Sequence, residues 1–359
     1  MRLESFKTHL AAQKQSFIGF PATLDFDYSE LQPLLQVFLN NIGDPNVDSW
    51  CGTHSKEFER EVIAFFANLF RAPKDNYWGY VTNGSTECNL YALYLARQKY
   101  PDATVYYSSS AHYSVPKNIH LLGMHGVKVR SQKNGEMDYA NLRTLIASQD
   151  DKPAIVMATC GTTMTEARDN IAIIKQILKS TPAHHIHVDA ALAGTYTALL
   201  EPHHPFDFED GANSISISGH KFIGSPVPSG VVIVRKDDKE LLANATNYTG
   251  SPDSTISGSR SGHAPLFLWY AIQHWGTDGF RKRAIESQKM ASYAHARLRQ
   301  IGWKTWRNPG ALTVMLASPP REQIIKWQLA SVGGWSHIIC MPGVTRPKID
   351  TFIADLARP

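Results

Sequence analysis

The fold turns on Ser214-Ile215-Ser216-Ile217-Ser218-Gly219-His220-Lys221-Phe222-Ile223-Gly224-Ser225-Pro226-Val227-Pro228-Ser229-Gly230-Val231-Val232-Ile233-Val234-Arg235. From Ser214 to Ser218 small polar residues alternate with Ile, the period-two signature of a strand. Gly219-His220-Lys221 breaks the alternation, Pro226, Pro228 and Gly230 hold the chain in a turn, and 230–234 reads as a second strand. A lysine delivered at a strand end, behind a histidine and among apolar residues, can present a desolvated amine to a carbonyl. A turn lysine on its own is more simply a solvated one. Upstream, His187-Val188-Asp189-Ala190-Ala191 reads as another strand, ending on an acid between small residues.

An aspartate at one strand end and a lysine at another suit pyridoxal phosphate. That cofactor forms a Schiff base with a lysine, and a carboxylate keeps its pyridine nitrogen protonated so that the ring can accept electrons. With Asp189-Ala190-Ala191 and Ser218-Gly219-His220-Lys221 the chain resembles the group II pyridoxal-phosphate amino-acid decarboxylases. The wording Ser-Gly-His-Lys-Phe-Ile-Gly-Ser-Pro-Val-Pro is similar to the short bacterial histidine decarboxylases and the plant serine decarboxylases, and the resemblance runs from Phe20 to Leu356. It implies an α/β chain of PLP fold type I, aspartate aminotransferase-like. Such a chain has a large domain with a mixed, mostly parallel sheet flanked by helices, and a small C-terminal α+β domain. The expected division is an N-terminal arm at 1–50, a PLP-binding domain at 51–275 and a small domain at 276–359.

Bulk properties narrow the remaining classes. With 359 residues, 43% of them hydrophobic and 19% charged, the chain reads as globular with ample core. Net charge is +4, but Lys and Arg are scattered, so nucleic-acid binding has no footprint. Cys51, Cys88, Cys160 and Cys340 show no paired spacing, which favours reduced thiols in a cytoplasmic protein over a disulfide framework or a zinc site. No signal-peptide core opens the chain, and no apolar run approaches the roughly 18 residues of a membrane span.

Phe58, Val62, Phe65, Phe66 and Leu69 recur at helical spacing across 55–70 and are assigned to packing. Tyr28 to Asn40 also has helical spacing. Gly79 to Asn89 reads as a strand, a Gly turn and a helix start, where amides and hydroxyls form an anion site. Ser85 and Thr86 are therefore phosphate candidates, with ordinary N-capping near Glu87 as the alternative. The family usually has Gly where Cys88 stands. The apolar run 154–159 marks a central parallel strand, followed by Cys160-Gly161-Thr162-Thr163 and by a helix opened at Asp169-Asn170. Ala167-Arg168 departs from the family's usual apolar pair. The histidines at 184, 185, 187, 203 and 204 invite a metal reading, yet a third ligand at diagnostic spacing is missing, so no metal is expected.

The resemblance assigns further roles. His112 stacks on the pyridine ring, Thr163 and Ala191 contact the cofactor, and Asp169 supports the lysine region. Ser218 and His220 flank the Schiff-base Lys221, and the acid Asp189 meets the ring nitrogen. The long loop 247–265, rich in Gly and Ser, is functional or disordered. Within it Arg260 would bind the substrate carboxylate, and Ser257 or Ser259 would reach the phosphate of a partner chain. The expected working unit is thus a homodimer with active sites near the subunit interface, acting on a small amino-acid substrate. Asn41, Cys51 and His54 belong to the implied substrate pocket. Gly52-Thr53-His54-Ser55 and Trp327-Gln328-Leu329-Ala330 match the serine branch, whereas Gly224-Ser225-Pro226 has the histidine wording, and Ser229 replaces a Cys common to both. The reaction implied is α-decarboxylation of L-serine or L-histidine. A fold-type-I aminotransferase would share the Asp and Lys, and a catalytically dead relative would need a broken constellation. In the C-terminal part the pattern predicts strand 312–316, helix 322–330, strand 335–340 with His337 as a core or edge residue, and helix 347–356.

Overall fold

Strand-forming alternation and apolar runs resolve into two sheets in a computed structural model that describes residues 2–149, 151–240 and 249–357. The larger sheet has seven strands: β1 (Trp78–Thr82), β2 (Thr104–Ser108), β3 (His125–Val129), β4 (Ala154–Thr159), β5 (His184–Asp189), β6 (Ser214–Ser218) and β7 (Gly230–Val234). Their order is β1-β7-β6-β5-β4-β2-β3. β7 runs antiparallel to both neighbours, and all other pairings are parallel. The carboxyl ends of β1, β2, β4, β5 and β6 therefore share one edge, where open α/β sheets bind ligands.

Ile155, Val156, Ile186, Val188, Ile215, Ile217, Val231 and Ile233 are fully buried, as expected of strands covered on both faces. The helix Lys56–Leu69 places Val62, Phe66 and Ala67 on this core, one residue inside the predicted span at each end. β6 and β7 form the predicted hairpin. Between them Gly219–Ile223 coils as a single wide helical turn, ended by Gly224 at φ +90°. Thr23 of the arm lies against that glycine: its Oγ1 donates to the Phe222 carbonyl at 2.9 Å, and its amide to that of Lys221 at 3.2 Å. A side chain at 224 would meet Thr23 as well as the wrong φ.

The second sheet is antiparallel, β10-β11-β9-β8, made of β8 (Thr305–Trp306), β9 (Thr313–Ala317), β10 (Ala330–Val332) and β11 (Trp335–Ile339). The helix His263–Gln300 joins the two cores. Leu268, Ala271, Phe280 and Ala284 pack on the first, and Ala291, Ala294 and Leu298 on the second, with a break at Gly276.

Some expectations are corrected here. Residues 29–36 form a 3₁₀ helix containing Pro33, because the proline cannot donate to a longer α-helical ladder. The predicted helix 322–330 is only Arg321–Lys326. Gln328 adopts φ +52°, which turns the chain into β10. Asp169 neither caps the next helix nor touches Lys221. Its carboxylate accepts the Met137 and Thr159 amides, both at 2.8 Å, and Asn170 is the cap. Arg168 reaches the carbonyl of Gly310 at 3.1 Å and so ties the large sheet to the chain leading into β9. Asn247 and Tyr248 of the long loop lie outside the described residues. Among the described residues no helix is long and apolar enough to cross a membrane.

Candidate active site

The shared strand edge opens into a cavity of about 1280 Å³. Its walls come from the loops after β1, β2, β4, β5 and β6, closed by Phe20 and Pro21 of the arm and by Ala330, Val332, His337 and Ile339 of the small sheet. Asp189 ends β5, and Ser218 ends β6. The two strands pair in register Asp189↔Ser216, so Lys221, one turn beyond β6, faces the same space as the acid.

Asp189 is nearly buried, and each carboxylate oxygen has a donor: Asn89 Nδ2 at 2.9 Å on Oδ2 and the Ala191 amide at 3.1 Å on Oδ1. Burial lowers the Lys221 ammonium pKa, and the negative charge of Asp189 partly restores it. The result is an amine that loses its proton more readily than a solvated lysine, as a carbonyl-binding nucleophile requires. Burial likewise lowers His112, opposed by Asp189 and reinforced by Lys221. Its Nδ1 lies 2.7 Å from Ser114 Oγ, which fixes the ring at the cavity wall. His220 stands beside Ser229, with Nδ1 3.0 Å from the carbonyl oxygen.

At the far side the helix Ser85–Lys99 begins behind Gly84. Amides in a first helical turn lack intrahelical acceptors and carry the positive end of the dipole. Ser85 Oγ lies 2.8 Å from Ser218 Oγ, so this helix start is pinned to the end of β6. Glu87 also supports it, accepting the Asn83 amide at 3.1 Å and Asn83 Nδ2 at 2.8 Å. The acid caps the turn, and Ser85 and Thr86 line the cavity. Cys88 fits because it lies under Gly230, where a Cβ would approach Sγ to 2.8 Å.

An amine, a carboxylate set against it, an imidazole wall and a helix N-terminus at the other end match the donor set of pyridoxal phosphate. Ser85, Thr86, His112, Thr163, Asp189, Ala191, Ser218, His220 and Lys221 all line this one cavity. Ser257 is only adjacent, its Oγ 3.4 Å from Glu87, and Ser259 is exposed beside Asn40.

The implied substrate ligands stand elsewhere. Arg260 is buried away from the cavity, ion-paired with Glu59, bonded to the Gly43 carbonyl at 2.9 Å and set over the Tyr80 ring. A guanidinium so committed does not reach a carboxylate in this pocket, and the expectation for Arg260 is corrected accordingly. Asn41 is fully buried, holding Glu59 at 2.7 Å and the Ser55 amide at 2.8 Å. Cys51 Sγ lies 3.4 Å from Thr53, and His54 stands 3.9 Å from Asp48; none of the three lines the cavity.

Sequence reasoning passed over Asn89, which bonds the acid, and took His337 only as a core or edge residue, whereas it lines the cavity with its ring spanning the carbonyls of Met164 and Gly19 at 2.9 and 3.1 Å. His203 stands with Asp207 and Asp210, each offering one ligand atom within 4.8 Å of the others, while the His204 ring faces the Asp169 carbonyl at 3.0 Å. His203 meets Asp210 at 2.9 Å, but Arg71 already neutralises Asp207 and Asp210. All four cysteines are free thiols.

Comparison with known proteins agrees with the geometry. The profile described as "Pyridoxal-dependent decarboxylase conserved domain" matches residues 37–303. A histidine decarboxylase of Mesorhizobium japonicum is 42% identical, the alignment covering 99% of this chain and 97% of the relative. Serine decarboxylase 2 of Oryza sativa subsp. japonica is 38% identical over 99% of this chain and 77% of its own length. Among solved structures, L-methionine decarboxylase from Streptomyces sp. 590 superposes with a TM-score of 0.91 at 26% identity, covering 99% of this chain and 94% of that one. The chain belongs to the pyridoxal-dependent decarboxylase family, is a pyridoxal-phosphate enzyme of fold type I, and acts as an amino-acid decarboxylase.

Proposed function

We propose that the substrate is L-histidine and that the residues around the cavity divide the work as follows. When bound, pyridoxal phosphate supplies a conjugated ring that delocalises the electron pair left by departing carbon dioxide. Lys221 would hold the cofactor through its amine and give way to the substrate's own. Asp189 would keep a proton on the ring nitrogen. Ser85, Thr86 and the helix start behind Gly84 would take the phosphate, and His112 would cover one ring face. Thr163, Ala191, Ser218 and His220 would border the ring. Phe20, Leu121, Met164 and Ile339 surround the same space with apolar surface and limit water at the reacting carbon. The observation carrying this reading is the convergence of Lys221 and Asp189 from adjacent strand ends on one cavity.

Histidine is favoured over serine by room and by the position of the sequence signals. A cavity of about 1280 Å³ leaves space beside the cofactor for more than a hydroxymethyl group. Cys51 to Ser55, which suggested serine, does not border it. Ala330, from the other serine-like segment, does, and serine is the second reading. Incubating the purified protein and cofactor with a panel of amino acids, then identifying the amine, tests both. Histamine is the expected product; ethanolamine would transfer the assignment to serine, and a keto acid without amine would sink decarboxylation.

The working unit is proposed to be a homodimer in the cytoplasm. Phe38, Trp50 and Tyr113 are exposed by 73, 76 and 75%, more apolar surface than a lone chain needs. Tyr113 also borders the cavity, and Ser257 and Ser259 would then serve a neighbour's site. Light scattering should give twice the 40.0 kDa chain mass; a monomer with full activity would refute this.

A further inference from the structure

Behind Asp189 a file of buried polar side chains runs away from the cavity. Asn89 Nδ2 donates to Asp189 Oδ2 at 2.9 Å. Asn89 Oδ1 faces two groups, Ser216 Oγ at 2.6 Å and His187 Nε2 at 2.9 Å. His187 Nδ1 lies 2.8 Å from Ser214 Oγ, and Ser214 Oγ lies 3.1 Å from His185 Nε2. All of these residues are buried, and His185 Nδ1 has no partner among the described residues.

The contact with Asp189, an acceptor for Asn89 Nδ2, sets the hydrogen-bond polarity of the file. An amide oxygen only accepts, so His187 carries its proton on Nε2 and presents a bare Nδ1. Ser214 then donates to that nitrogen and accepts from His185 Nε2–H, which leaves His185 Nδ1 a bare acceptor. Reversing the Asn89 amide would require His187 to move its proton to Nδ1 and Ser216 to turn its hydroxyl around. A flipped amide would also turn oxygen toward the oxygen of Asp189. The NH₂ is therefore held on the acid, where it donates to Oδ2.

We propose that His187 and Ser214, acting through Asn89, are positioning residues that fix the orientation of Asp189 toward the cofactor's ring nitrogen. Neither touches the cavity, so neither is a catalytic residue. The proposal rests on Asp189 meeting that nitrogen. It also gives two of the strand histidines, His185 and His187, a place behind the site.

The test uses the full chain, loaded with pyridoxal phosphate labelled with ¹⁵N in the ring, and compares wild type with His187→Phe, His187→Gln, Ser214→Ala and Asp189→Asn. The ring-nitrogen resonance should be that of a protonated pyridine in wild type and in His187→Gln, whose side-chain NH₂ can still donate to Asn89. It should move toward the unprotonated position in His187→Phe and Ser214→Ala, with cofactor affinity weakened about tenfold. In the cofactor-free wild type, ¹⁵N-histidine spectra should show His187 neutral and protonated on Nε2, which needs no variant to fold. An Nδ1-protonated His187, or a ring-nitrogen resonance unchanged by both disrupting variants, overturns the relay. An unprotonated ring nitrogen in wild type, or no change in Asp189→Asn, overturns the underlying reading of Asp189 instead.

Discussion

Lys221 and Asp189 carry opposite charges against one cavity, yet the site asks different things of them. The lysine must shed its proton to bind a carbonyl, and burial helps it do so; the acid must keep one orientation, and a donor on each oxygen holds it there. Lys221→Ala should abolish the visible absorbance of the cofactor-loaded protein, and an unchanged spectrum would refute its role. Asp189→Ala should fold normally yet lose turnover by on the order of a hundredfold or more, an electrostatic loss of the size seen when one oriented group is removed. Retained activity in that variant would count against the assignment. Ser229 makes the opposite point. Its Oγ is buried without a partner among the described residues. Ser229→Ala should raise stability by about 1 kcal/mol in urea unfolding, because an unsatisfied hydroxyl is removed from the interior; a destabilised variant would reveal a bond formed in the working protein.

At the scale of single elements, β5 is both a core strand and a proton-poor one. Burial lowers His185 to about 4 and His187 to about 3, so both are neutral in the folded chain, whereas in the unfolded chain they titrate near 6.5. Between those values the unfolded state binds more protons, and stability falls as pH drops below about 6.5. Lowered values for His184, His204 and His337 act in the same sense. Asp169 opposes them: burial raises it to about 7, so the folded state holds its proton and gains stability as pH falls through 7. The histidines outnumber it, and the urea midpoint should decline from pH 7 to pH 5. His185→Gln should flatten that decline by roughly one proton's worth of slope. An identical pH dependence in the variant would mean that His185 is charged when folded.

For the whole molecule, the cavity depends on two sheets holding station. Glu166, fully buried at φ +54°, accepts the Leu312 and Thr313 amides at 2.9 and 2.8 Å and the Thr313 hydroxyl at 2.7 Å, besides pairing with Arg168. Asn308 adds bonds of 2.9 Å to the carbonyls of Asn134 and Thr165. These ties keep the His337 and Ile339 wall opposite the strand ends. Glu166→Ala would leave several buried donors unsatisfied and should cost about 3–5 kcal/mol. At a temperature where the variant is folded, KM should rise more than kcat falls; unchanged KM would show that the small sheet does not shape the pocket.

What the residues alone determined was local in its physics. Period-two alternation at 214–218, the apolar run at 154–159 and the Gly-Pro turn punctuation identified the strands, and a lysine and an acid at two strand ends identified the cofactor chemistry. Helix ends were also legible to within a residue where an amphipathic stripe was strong, as at 56–69. Strand β8, with two residues, was too short to show a period, and the left-handed Gln328 ended a helix that its neighbours would have continued. Tertiary structure alone decided which polar side chains face the cavity. Arg260 was free to bind a carboxylate on paper, but Glu59, distant in sequence, claims its guanidinium. Asn89 looked like an ordinary helix residue until β5 and β6 brought His187, Ser216 and Asp189 around its amide. Hydrogen-bond partners in a buried site are chosen by which strands lie side by side, and no spacing along a single chain segment encodes that.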